Sequence, residues 1–183
     1  MGKRFVLLVA LLALVPAPAN ALRIGVRYPQ PFVYVQVGHG LLSDYGLFGP
    51  PTGLVDEVVF NFPPGVRPGD GTLVVGTPVM PVAFIGYSGR GRVNFIVTMN
   101  SAAGLRNGNG DTMPFSEISW TTRDGDIPGG QFNDSANQFL QQYDLRGRAR
   151  TGVVDFLTFS YRNTSVYPAG SYSGRVTYTI TAL

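Results

Sequence analysis

Apolar and polar residues alternate along much of this chain with a period of two, the period a β-strand imposes on its two faces. The pattern is cleanest near the end. Tyr172, Val176, Tyr178, Ile180 and Ala182 share one parity, and Ser173, Arg175, Thr177, Thr179 and Thr181 take the other. Val93, Phe95, Val97 and Met99 repeat it, as do Leu157, Phe159 and Tyr161. Strands are predicted at 22–28, 32–37, 55–62, 78–87, 92–100, 115–121, 153–163 and 171–182. Glycine- and proline-rich stretches at 46–53, 63–71, 104–110 and 124–130 separate most of them, as tight turns require. Residues 135–145 admit two readings. Ser135-Ala-Asn-Gln138 fits a helical capping box with Phe139 and Tyr143 four apart, whereas Phe139, Gln141, Tyr143 and Leu145 fit one face of a strand. A turn at 146–152 returning the chain onto 153–163 favours the strand. The expected fold is all-β, an antiparallel β-sandwich of seven to nine strands.

The N-terminus changes the picture of charge and compartment. Lys3 and Arg4 precede an apolar run at 5–15, and Ala19-Asn20-Ala21 is a small-x-small cleavage site, so 1–21 reads as a secretory signal peptide. The run has 11 residues, short of the about 20 a bilayer span needs. Residues 22–183 are then one expected domain, and none of their segments is apolar enough to span a membrane. Lys3 is the only lysine, so removing the signal leaves 12 arginines against 11 acids. A net charge near +1 argues against a nucleic-acid partner. There are no cysteines, which removes disulfides, iron–sulfur clusters and cysteine zinc sites. The expected setting is a bacterial periplasm, cell surface or medium.

Candidate chemistry is sparse. His39 is the only histidine, so any Ser–His–Asp triad would need it. Gly86-Tyr-Ser88-Gly-Arg90 half-matches a nucleophile elbow, but Arg90 replaces the second glycine and no helix pattern follows. Asn107-Gly-Asn109-Gly-Asp111 spaces oxygen ligands as calcium loops do, yet Thr112 and Ile118 stand where such a loop wants Gly and Glu. A turn demands the same residues. Nothing marks a pair of acids for glycoside hydrolysis. No catalytic residue, cofactor or metal site is expected, and the chain is read as a non-enzyme. Arg90, Arg92, Arg146, Arg148 and Arg150 form two basic clusters among glycines, a candidate anionic-ligand surface with polysaccharide as the partner. Asn133-Asp-Ser135 and Asn163-Thr-Ser165 fit the glycosylation pattern, which matters only in a eukaryotic pathway.

Directly after the cleavage site, Leu22, Ile24, Val26 and Tyr28 alternate with Arg23, Gly25 and Arg27 before Pro29 and Pro31 interrupt. Such a strand pairs either with its own sheet or with another chain. The two ends together resemble bacterial chaperone–usher pilus subunits, including the spore-coat-protein-U-like group. The C-terminal strand of that family alternates, often with a glycine fourteen places from the end, the place Gly170 holds here. Ala182 stands where many members carry an aromatic, and many members have a disulfide. The resemblance implies an immunoglobulin-like sandwich lacking one strand. It implies Leu22, Ile24, Val26 and Tyr28 as the strand-exchange donor. It also implies Gly170, Tyr172, Val176, Tyr178 and Ile180 as the edge that a periplasmic chaperone, and then another subunit, recognises. The function so implied is a structural subunit of a surface fibre or coat. The alternative is a self-complemented monomer that binds carbohydrate or an envelope component.

Overall fold

A strand with one apolar face must cover that face with another sheet, and the alternating segments here do so in antiparallel pairs. The structure, a computed structural model, describes residues 32–38, 57–88, 91–146 and 150–183. The strands are β1 (Phe32–Val37), β2 (Leu73–Val75), β3 (Met80–Tyr87), β4 (Arg92–Asn100), β5 (Leu105–Arg106), β6 (Thr112–Met113), β7 (Ile118–Thr122), β8 (Gly130–Gln131), β9 (Gln138–Arg146), β10 (Arg150–Arg162) and β11 (Thr177–Ala182). One sheet runs β1-β3-β10-β7-β8, with β2 pairing the end of β10 beyond β3. The second runs β11-β4-β9, and β5-β6 is a separate hairpin. The fold is an all-β sandwich, and no α-helix occurs among the described residues.

Two strands interior to the sheets carry the core. Val82 and Phe84 of β3 face Phe95 and Val97 of β4, all with zero exposure. Leu157, Phe159 and Tyr161 of β10 and Leu140 and Leu145 of β9 extend the same cluster. Phe95 stacks on Tyr143 with ring centroids 4.9 Å apart, and Phe132 lies 4.9 Å from Trp120 and 6.0 Å from Phe159. β3 is buried on both faces: Ala83 and Ile85 pack with Tyr34 and Val154 on the far side. Its Gly86 has to be glycine, because a Cβ there would sit 2.6 Å from Leu145 Cδ1 and 2.9 Å from Phe95 Cε1.

Several expected segments differ in extent. The strand at 55–62 reduces, among described residues, to a bridge between Val59 and Thr77. Val58 and Phe60 instead pack onto the open space left by Gly76, which gives them burial without a ladder. The expected start of the strand at 115–121 is a 3-10 turn, Phe115–Glu117, after Pro114. Residues 135–145 form a strand that begins at Gln138, not the helix the capping box allowed. A bulge opposite Val97/Thr98 breaks its parity. Leu140 takes the buried place and Phe139 turns out, 58% exposed, so Phe139 does not share the face of Tyr143 and Leu145. At 171–182 the regular ladder starts only at Thr177, because Ser173 bridges Arg106 of β5.

Two buried polar side chains hold the loops. Asp155 lies at an inward position of β10 with zero exposure. Burial alone would push its carboxyl up. The backbone N–H groups of Asp124, Ile127, Phe156 and Arg123 outweigh that and hold it below the usual carboxylate range. Asn163 donates to Arg67 O at 2.6 Å and Asp70 Oδ1 at 2.9 Å, and accepts from Gly69 N at 3.0 Å, so it organises the turn at 67–72. In that turn the Thr72 and Arg67 amides hold Asp70 down at about 2.

Asp155→Asn turns an amide NH2 or a weaker acceptor toward four donors and is expected to cost about 1–3 kcal/mol at neutral pH. Both acids are lowered in the folded chain, so their contribution is complete above about pH 4 and is lost as pH falls through their folded values. Urea unfolding followed from pH 7 downward should show the wild-type midpoint falling more steeply below about pH 4 than that of Asp155→Asn.

Candidate functional site: an open flank of the sandwich

The two flanks of the sandwich are built differently. On the β8/β9 side, loop 123–137 folds under the sheets with Ile127 at 0% and Phe132 at 3% exposure. Trp120 Nε1 donates to Pro128 O at 3.0 Å, and Gln138 Nε2 to Gln131 O at 2.7 Å, which fastens that loop. On the β1/β11 side the inward rows of both edge strands stay half-buried. They are Val33 and Val35 of β1, with Val37 still 36% exposed, and Val176, Tyr178 and Ile180 at β11. One strand further in, the inward residues of β3 and β4 are all buried. Among the described residues, the core is therefore sealed on one flank and incompletely covered on the other.

No described strand pairs with the outer backbone along that flank. Among the described residues, β11 pairs with β4 alone and β1 with β3 alone, and the two edges approach each other. Sheet edges are usually protected by charge, proline or a bulge. β9 has such protection in its Leu140 bulge, Asp144 and Arg146. β11 has none: its outward row is Thr177, Thr179 and Thr181, and its inward Tyr178 phenol is pushed up by burial. An uncharged edge beside a half-covered apolar row can accept a strand, which would supply both the missing ladder and the missing cover.

The expected recognition set divides. Val176, Tyr178 and Ile180 lie on this flank. Gly170 and Tyr172 lie on the β5–β6 side: a Cβ at Gly170 would be 3.3 Å from Asn107 Nδ2, and Tyr172 OH donates to Pro168 O at 3.0 Å and meets Asn107 Nδ2 at 3.4 Å. Gly174 lets the chain cross between these regions, since a Cβ there would come within 2.7 Å of Gly104 O. The candidate donor residues Leu22, Ile24, Val26 and Tyr28 lie outside the described residues, as does His39.

The basic clusters are partly spent internally. Arg92 holds Asp144 bidentately at 2.8 and 2.9 Å, and Arg146 Nη2 shares the same carboxylate at 3.0 Å. The Arg92 bonds, then those of Arg146, hold Asp144 below its ordinary range. Arg150 opens β10 opposite Tyr87, and Arg90 and Arg148 lie outside the described residues. The other motifs resolve as structure. Ser88 is buried, and its carbonyl accepts from Gly91 N at 3.0 Å, a tight return into β4 where a nucleophile elbow needs a helix. Asn107 Oδ1 accepts from the Asn109 and Asp111 amides at 3.0 and 2.9 Å, so it closes its own turn. Asn163 is 2% exposed and its Nδ2 already donates twice, which leaves no amide proton for a glycan.

Some organising residues carry no recognisable motif. Glu117 accepts from Thr164 and Ser165 hydroxyls, both at 2.8 Å, and from Tyr167 OH at 3.2 Å. No spacing rule connects Glu117 with residues 164–167. Asp155 did leave a signal, as an acid of inward parity between Val153 and Leu157.

The in/out assignment of β11 predicts opposite responses at neighbours. Ile180→Asp places a carboxylate on the apolar row and should cost about 1–3 kcal/mol. Thr179→Lys, on the exposed row, should stay within about 0.5 kcal/mol of wild type in denaturant unfolding.

Comparison with known proteins returns no matching family model, no matching curated protein and no matching solved structure.

Proposed function

We propose that this chain is a non-enzymatic structural subunit of a bacterial surface fibre or coat, exported and joined to its neighbours by β-strand complementation. The fold in this reading is an immunoglobulin-like sandwich short of one strand. The observation that carries it is the half-covered inward row of β1 and β11 beside an unprotected β11 edge. The occupant is residues 22–28 of another copy, with Leu22, Ile24, Val26 and Tyr28 turned inward and a periplasmic chaperone holding the place until assembly.

Chain reach supports exchange between copies. β1 and β11 run in opposite directions: Phe32 pairs Tyr87 and Ala182 pairs Phe95 toward one end, while Val37 pairs Val82 and Thr177 pairs Asn100 toward the other. A seven-residue strand laid antiparallel on β11 would finish near Val37, about 17 Å along β1 from its start. Residues 29–31 bridge at most about 14 Å. Residues 22–28 therefore reach the antiparallel orientation on β11 only on a neighbouring copy. Within one copy they can run only parallel to β11, which is slightly less stable per residue, or fold back antiparallel on the free edge of β1, the arrangement of the self-complemented alternative. Head-to-tail addition of this kind does not close on itself and grows a fibre.

Natively exported protein, sized by light scattering, should form ladders or filaments. Deleting residues 22–28, or placing Asp at both Ile24 and Val26, should leave a monomer that a synthetic 22–28 peptide stabilises against heat. Unchanged assembly in both variants would refute strand exchange. A full-length monomer that melts lower on deletion would instead indicate the self-complemented binding module.

A further inference from the structure

A second feature lies at the β5–β6 hairpin and is independent of the strand-exchange reading. The β5–β6 hairpin, residues 102–104 and residue 134 border an open cleft of about 360 Å³. Ala102 and Ala103 leave it open, and Arg106, Thr112 and Asp134 are its polar lining. We propose that this cleft binds a small zwitterion, with the anionic end on Arg106 and the ammonium on Asp134.

Both charges are placed by backbone that is held on more than one side. Arg106 pairs with Thr112 across the hairpin, and it exchanges backbone hydrogen bonds of 2.8 and 3.0 Å with Ser173 on its other edge. Its guanidinium has no ion-pair or hydrogen-bond partner among the described residues, in contrast to Arg92, Arg123 and Arg146. Asp134 is the one non-glycine among the described residues with a positive φ, +56°. Its Oδ1 accepts from Ser116 N at 3.0 Å, and the carbonyl of the following Ser135 accepts from Ser101 N at 3.0 Å. Oδ2 has no donor among the described residues. Backbone strain of this kind persists where the surrounding structure enforces it, and it concentrates at binding sites.

The pairing of charges selects the ligand class. Arg106 and Asp134 line one cleft without bonding to each other, so each keeps unused hydrogen-bonding capacity. A simple anion or a sugar acid satisfies Arg106 and faces repulsion from Asp134. An ammonium alone does the reverse. A molecule carrying both groups satisfies both, and Thr112 adds a hydroxyl for the linker or carboxylate.

The test is calorimetric titration of the full chain with glycine, β-alanine and γ-aminobutyrate, a series of increasing charge separation. Acetate, ethylammonium and glucuronate serve as single-sign and sugar-acid comparisons. At least one zwitterion should bind saturably, about tenfold or more tighter than each comparison. Arg106→Gln and Asp134→Asn should each weaken it about tenfold with an unchanged melting temperature. Asn tolerates the positive φ and keeps an acceptor for Ser116, so loss of binding there reports the charge. Acetate or glucuronate binding as tightly as the zwitterions would overturn the proposal, as would unaltered binding by the two variants or no saturable heat with any probe.

Discussion

Everything in this structure follows from the need to close a two-sheet apolar core along both of its long flanks. The β4 strand sets the problem. Val93, Phe95, Val97 and Met99 all point inward, and only β11 and β9 flank them, while the facing sheet is wider. A narrow sheet over a wide one leaves apolar side chains uncovered at its margins. At the β9 margin, loop 123–137 solves the problem with Ile127 and Phe132. At the β11 margin no described segment does so. The difference between those two margins is the physical basis for a functional reading.

The polar hubs fit the same constraint. A loop can be folded beneath a sheet only if its backbone donors find acceptors away from water. Asp155 supplies acceptors for the loop that seals the β9 margin, reaching Arg123, Asp124 and Ile127 at once. Asn163 accepts from Gly69 N and donates to Arg67 O in the turn at 67–72, and Glu117 collects the hydroxyls of Thr164, Ser165 and Tyr167. Glycines without room for a Cβ, at 86 and 174, allow the remaining close approaches. Together these contacts explain how a chain with no cysteines fastens its loops.

The sheet class was legible because alternation is a local property. Phe32–Val37 and Arg92–Asn100 appear with the bounds that parity indicates, and Val176, Tyr178 and Ile180 are inward as expected, whereas Tyr172 joins the β5–β6 side and Ala182 is exposed. Parity misleads where the ladder is irregular. It placed Phe139 with Tyr143 because an inserted residue shifts phase without changing composition. It missed Leu73–Val75, Leu105–Arg106, Thr112–Met113 and Gly130–Gln131, which are too short to show a period. The edge residues Val176, Tyr178 and Ile180 could be marked from sequence alone, since an inward row is visible in any strand. That this row is incompletely covered could not, because coverage depends on β1, some 140 positions earlier. The contact of Asp134 is hidden for the same reason: its donor, Ser116 N, lies 18 residues away.

The bulge at Leu140 reaches beyond its own strand. By displacing one residue and leaving Asp144 bound between two arginines, it makes the β9 margin a poor template for any incoming backbone. The three-stranded sheet therefore has a valence of one. Under the strand-exchange proposal, an added strand enters this sheet through β11 and not through β9. That asymmetry would hold such growth to a single direction.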